Sequence, residues 1–439
     1  MVIDLGLVLE SVLPLLFFCC IYFFIYKKYI SSFFDPLTYF VFNLATASVL
    51  IIQDGITSSW LNILQFFLFQ LFFWLGFSRV KVNFNKSVSI FYSKNDIELI
   101  EYSTFTLFFI YLVVNLYFFT AVGAPIFASD PTIAKVDGYA GGFGFVRRIN
   151  WGVGNFISCS ALVLSLVGRY RKSCMAILLI QIVFSAASGS KGGSFLTFIF
   201  LITLLANRNE FRSMPQITKY KKYIKYMLIT GIVVGTAVLY VTIGDVNKSL
   251  FAFVNRVMMA GDAIIYYYNP DVLRSFESYD LLDFILHELN PILGFFRLAE
   301  YEYPLGYQMV VRYLATYSTE EFLTVLGPNS PFYIEGHIYF GSVAGLLYSF
   351  LMGYFVSYIR KIYFNSSNLN IIKFIFLFNL TSLIPSLPQD SNFFTIQLFD
   401  SMLLTIVVFL FYVTAFVAIR QRTTGNTIYL HSHLNKAMK

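Results

Sequence analysis

Residues 102–121 read YSTFTLFFIYLVVNLYFFTA, a run without a single Asp, Glu, Lys or Arg. Twenty residues of α-helix are about 30 Å long, the thickness of a bilayer's hydrocarbon core. In lipid every backbone N–H and C=O must be satisfied within the chain, so such a run is read as a membrane-spanning helix. Similar apolar stretches recur on both sides of it. Spans are expected at 8–26, 37–52, 60–78, 99–121, 151–168, 174–188, 193–207, 226–243, 332–358, 371–388 and 398–418. The pair within 174–207 is divided by Ser188-Gly189-Ser190-Lys191-Gly192-Gly193, which reads as a turn. The expected fold is therefore all-α: one polytopic integral membrane domain over residues 1–439, with about eleven transmembrane helices.

Composition supports the same reading. Of 439 residues, 57% are hydrophobic and 13% charged, and mean hydropathy is +0.68. Soluble domains carry roughly 25% charged residues. Cys19, Cys20, Cys159 and Cys174 sit in or beside apolar runs. They have neither the spacing of a disulfide framework nor that of a metal site, and no metal or other cofactor is expected. Residues 1–10 contain Asp4 and Glu10 but no basic residue, so the first apolar run is read as a retained span and not a cleaved leader.

The net charge of +7 is explained by position and gives no reason to invoke nucleic acid. Basic residues follow each odd-numbered span: Lys27 and Lys28, Arg79 and Lys81, Arg169 and Arg171, Arg208 and Arg212, Arg360 and Lys361, Arg420 and Arg422. By the positive-inside rule this places the N-terminus outside and the C-terminus inside. Two outer connections are then long, 122–150 and 244–331. A structureless connection of the second size is improbable, so it is expected to hold helices of its own. Leu282, Ile285, Leu286 and Leu289 alternate with Asp280, Asp283, His287 and Glu288, a pattern suited to a membrane surface.

Basic residues on the outer side run against the charge rule and are candidates for binding an anion. They include Lys135, Arg147, Arg148, Lys191, Arg256, Arg297 and Arg312. The competing reading pairs them with the acids of the same loop. A Gly-Ser turn with Lys191 at the start of a helix would suit a phosphate, because glycines admit close backbone approach and a helix N-terminus is positive. Gly327-Pro328-Asn329-Ser330-Pro331 leads into the ninth span, with Ser330 the expected cap. His337, Gly341, Gly345, Ser349 and Gly353 follow on one helical stripe suited to close packing. Glu335 lies off that stripe, and is expected to face a cavity and serve as a general base, ahead of His337.

The stretch from Gly327 to Gly345 is similar to a region of bacterial O-antigen repeat-unit polymerases of the Wzy type. The Ser190-Lys191-Gly192 turn resembles the Ser-Arg-Gly turn of that group and of O-antigen ligases, with Lys where Arg is usual. Lys is a point charge and does not make Arg's bidentate fork on phosphate. The resemblance implies an enzyme of the bacterial inner membrane acting on undecaprenyl-pyrophosphate-linked oligosaccharide, with a chain-length regulator as a further partner. It implies inverting glycosyl transfer on the outer face, with Glu335 and His337 catalytic and the basic residues binding pyrophosphate. A ligase would share the layout and differ in acceptor. A flippase or transporter would be expected to show internal repeats and broken helices at the bilayer midplane.

Overall fold

The computed structural model describes residues 5–55, 59–86, 90–128, 134–135, 138–139, 143–189, 193–258, 261–300, 302–317 and 327–437. The chain is an all-α polytopic membrane protein. Each expected span is a helix, and among the described residues the only strands are the two-residue parallel pair Ile90–Phe91 and Leu369–Asn370. Among the described residues seven helices are long and apolar enough to cross a membrane, and Val12–Tyr26, Phe195–Ala206 and Ile371–Ser386 are shorter apolar helices. Arg171–Ala187, at 17 residues, completes the set. The last helix starts at Ser391, ahead of the expected 398, because the polar residues in SNFFTIQ turn toward protein and not toward lipid.

The outside of the bundle is apolar, as a lipid solvent requires. Val343, Leu347, Leu351 and Phe355 form one exposed stripe, and Phe109, Val113 and Leu116 another. Polar residues lie within: Asn43, Gln70, Asn115, Gln181, Asn379 and Ser401 are all buried. Between membrane helices there is little hydrophobic driving force, and hydrogen bonds and close backbone packing replace it.

The ends of the odd-numbered helices gather at one end of the bundle. There Lys86 donates to the Asn365 carbonyl, Asn207 to Ser31 and Ser32, and Arg169 to Glu101. Two of the basic residues read as orientation signals have a structural task. Arg360 makes a bidentate pair with Asp35, Nη1–Oδ1 2.9 Å and Nη2–Oδ2 2.8 Å, with neither side chain exposed. Arg208 pairs with Glu210 at 2.9 Å and lies against the rings of Tyr363 and Phe374. A charge buried in this way needs a fixed partner, so these two arginines tie elements together.

The ninth span departs most from expectation. Phe332–Asn365 is one run of helix in sequence, but Gly341 has φ 69° and ψ −172°. That conformation suits glycine and breaks the helix. Glu335 and Tyr348 would be about 20 Å apart along a straight helix, yet their side chains are hydrogen-bonded at 2.8 Å. The first turns, 332–340, therefore fold back against the main shaft. The stripe is interrupted accordingly. Its lower part packs as expected on Trp60–Ser78, where a Cβ on Gly353 would lie 2.0 Å from the Phe73 carbonyl oxygen. His337 is on the other side of the break. Ser330 does not cap the helix; Pro331 is the capping residue, and the Ser330 hydroxyl donates to Glu335.

Segment 244–331 contains helices Val246–Met258, Ala263–Tyr267, Pro270–Arg274, Leu281–Phe295 and Leu305–Tyr317. The other long connection enters its span through a π-helical turn, Ile149–Val153.

Candidate functional site

A cavity of about 480 Å³ opens between Gly154–Val167, Arg171–Ala187 and the segment 382–397. The π turn at 149–153 delivers Asn150 and Trp151 to its wall; such turns often mark functional sites. The lining mixes amides and hydroxyls with apolar surface, and its described residues are nearly uncharged. Asn155 donates to Asn379 at 2.7 Å and to Ser382 at 2.8 Å. Gln181 accepts from Ser158 and donates to the Gly154 carbonyl, both at 2.9 Å. Asn150 accepts from Asn115 at 2.7 Å, and Gln389 accepts from Asn43 at 2.7 Å. These contacts fix the amides in place before any ligand arrives. Tyr39, Tyr111, Tyr139, Trp151 and Phe393 add aromatic faces.

Among the described residues of the lining two carry charge, Lys135 and Asp390. Burial, and then the nearby charge of Arg256, lower the Lys135 pKa from its usual value. Burial pushes Asp390 up to about 6 against the pull of the Phe393 and Ser330 amides. Those amides donate to its two oxygens at 2.8 and 3.4 Å. Asp390 thus has an acidity near neutrality, as a general base requires.

Glu335 does not face this cavity. It is 2% exposed and lies behind Asp390. It accepts from Ser330 Oγ and the Ser391 amide at 3.1 Å each, and from Tyr348 Oη at 2.8 Å. Ser391 also bridges to Glu288, donating its hydroxyl at 2.6 Å. The acid expected at an open mouth is instead the centre of a closed hydrogen-bond cluster. The break at Gly341 turned it inward, and no spacing rule anticipates that. His337 packs its ring against Phe69 and Tyr267. Its Nδ1 is 2.5 Å from the Tyr267 hydroxyl and its Nε2 is 3.3 Å from Ser342 Oγ.

The basic candidates separate into groups. Arg147 lies over the ring of Trp151, a cavity residue. Arg148 is committed to Asp400 at 2.7 Å and to the Pro291 carbonyl at 3.0 Å, so it pairs with the last span and not with an acid of the loop. Arg256 is exposed and acts electrostatically on Lys135 and Asp262. Arg297 is exposed at the end of Leu281–Phe295 with φ 57°. Arg312 holds the loop together through the Ser275 carbonyl at 2.9 Å, the Tyr279 hydroxyl at 2.9 Å and the face of Phe276. Lys191 lies outside the described residues; Ser188 and Thr197, before and after it in sequence, both line the cavity.

Asp390 was missed because it follows the apolar run ending at 388 and looks like part of a short polar connection. The available signal was the concentration of amides, hydroxyls and one acid in Ser386-Leu387-Pro388-Gln389-Asp390-Ser391-Asn392 between two apolar runs. No family model, curated protein or solved structure matches the chain.

Proposed function

We propose that this chain is a glycosyltransferase that polymerises lipid-linked oligosaccharide repeat units, working on the outer face of the bacterial inner membrane. The observation that carries the reading is the cavity's lining. Fixed amides and hydroxyls interleaved with aromatic faces suit a glycan, whose hydroxyls need many neutral partners and whose ring faces stack on aromatics. The likeness of 327–345 to repeat-unit polymerases supports the same substrate.

In this mechanism the acceptor hydroxyl attacks the anomeric carbon of a second glycan, with inversion. The new C–O bond forms as the anomeric carbon–phosphate oxygen bond breaks, and lipid pyrophosphate leaves with its electron pair. Asp390 takes the hydroxyl proton, replacing Glu335 in that role. Lys135, with Arg256 and Arg147 nearby, stabilises the charge growing on the leaving group, and Lys191 is assigned to the same task.

Loss of a base costs about 10²–10⁴-fold. Cells with Asp390→Asn should therefore carry single repeat units on the lipid core, because a separate ligase still transfers them. Long chains from that variant would refute the assignment, and bare core would indicate a ligase. The helix broken at Gly341 favours a second reading, transport, since transporters build sites on such helices. Repeat units trapped on the inner face would identify that activity.

A further inference from the structure

Helix Leu281–Phe295 is turned the opposite way from an amphipathic helix of a water-soluble domain. Leu282, Ile285, Leu286 and Leu289 follow the i, i+3, i+4, i+7 rule of a single face. They are 62%, 43%, 47% and 41% exposed. The polar face is the buried one. The His287 carbonyl accepts from Asn392 at 2.6 Å, and Glu288 accepts from Ser391 and Thr395 at 2.6 and 2.8 Å. Arg148 reaches the Pro291 carbonyl from the same side. A capping box between Asp280 and Asp283 fixes the start of the helix and so its rotation.

The exposed face does not end with the helix. Phe295 and Phe296 pack on Phe399 of the last span at 5.8 and 6.3 Å. That span turns Ile406, Val407, Leu410 and Phe411 outward, and these are lipid-facing side chains of a membrane helix. The apolar surface of Leu281–Phe295 thus continues a surface already in contact with the bilayer. A helix lying on the membrane from the water side would keep its polar face wet; here protein covers that face.

We propose that Leu281–Phe295 is immersed in the bilayer as a lateral wall, its outer face covered by lipid acyl chains and its inner face closing the Glu288–Ser391–Glu335 cluster. The bilayer is then a structural partner of the cluster. Lipid on one face keeps the helix seated, and the seated helix holds Glu288 against Ser391 and Thr395. The placement does not depend on which reaction the cavity performs.

Nitroxide labels at Leu286→Cys and Leu289→Cys, in a Cys19→Ser/Cys20→Ser background reconstituted in phospholipid nanodiscs, test it by collision rates. Accessibility to dissolved oxygen should exceed accessibility to a polar nickel complex at both positions. A higher rate with the nickel complex would place the face in water and overturn the proposal. Low rates with both, together with dipolar broadening between labels, would show a second copy of the chain there and overturn it equally. Both positions point away from the protein, so labelling leaves the packed face intact; an unchanged elution volume in detergent verifies that before the measurement.

Discussion

Glu335 and Asp390 lie on opposite sides of the same short wall, and substitutions at Glu335 separate architecture from chemistry. Glu335 accepts three hydrogen bonds from Ser330, Ser391 and Tyr348, and these join the folded-back turns 332–340 to the shaft of their own helix and to the start of the last one. Truncation to Ala leaves three buried donors without their acceptor. A buried unsatisfied group costs about 1–3 kcal/mol, so Glu335→Ala should lose about 3–5 kcal/mol after allowance for non-additivity. Glu335→Gln keeps one acceptor oxygen and nearly the same volume, and Tyr348 can rotate its hydroxyl to accept from the new amide. Its expected cost is about 1 kcal/mol. The buried thiols of Cys159 and Cys174 supply the assay: in a Cys19→Ser/Cys20→Ser background a thiol-reactive fluorophore reports their exposure as detergent-solubilised protein is heated. Glu335→Ala should melt several degrees below the parent, and Glu335→Gln close to it while still making long polymer. A parental melting temperature for Glu335→Ala would refute the role given to the cluster. A folded Glu335→Gln that makes no polymer would return the base to Glu335 and remove it from Asp390.

Two further outcomes follow from buried charge. Arg360→Met should cost about 3–5 kcal/mol, because it leaves Asp35 buried without its partner, and adding Asp35→Asn should recover most of it; equal stability of the single and double variants in the same thiol assay would sink this account. For Asp390 the folded value, about 6, lies above the ordinary 3.8, so its protonated form favours folding. Its contribution is fully present below pH 3.8, falls as pH rises to about 6, and is absent above that, a change of about 3 kcal/mol. Asp390→Asn should therefore gain stability relative to the parent between pH 4 and 6.5, and a constant difference across that range would contradict the burial of this carboxyl.

The type and approximate position of the apolar helices were legible in the chain because a bilayer imposes a demand that a local window can read. Twenty apolar residues must be helical wherever they stand, and 102–121 announces this without any knowledge of neighbours. What could not be read was the direction in which a polar side chain points once helices pack. Gly341 looked like one member of a small-residue stripe; its backbone at φ 69° instead folds the helix on itself and carries Glu335 from an expected cavity into a closed cluster. Arg360 looked like one of several terminal cations, and its partner Asp35 is 325 residues away in sequence. Asp390 reaches the cavity only because the last helix begins at Ser391 and turns its polar start inward. Hydrophobic periodicity records which face of a helix avoids water, but in a membrane both lipid and protein satisfy that requirement. Which of the two covers a given face depends on contacts between residues far apart in the chain, and those exist only in the folded structure.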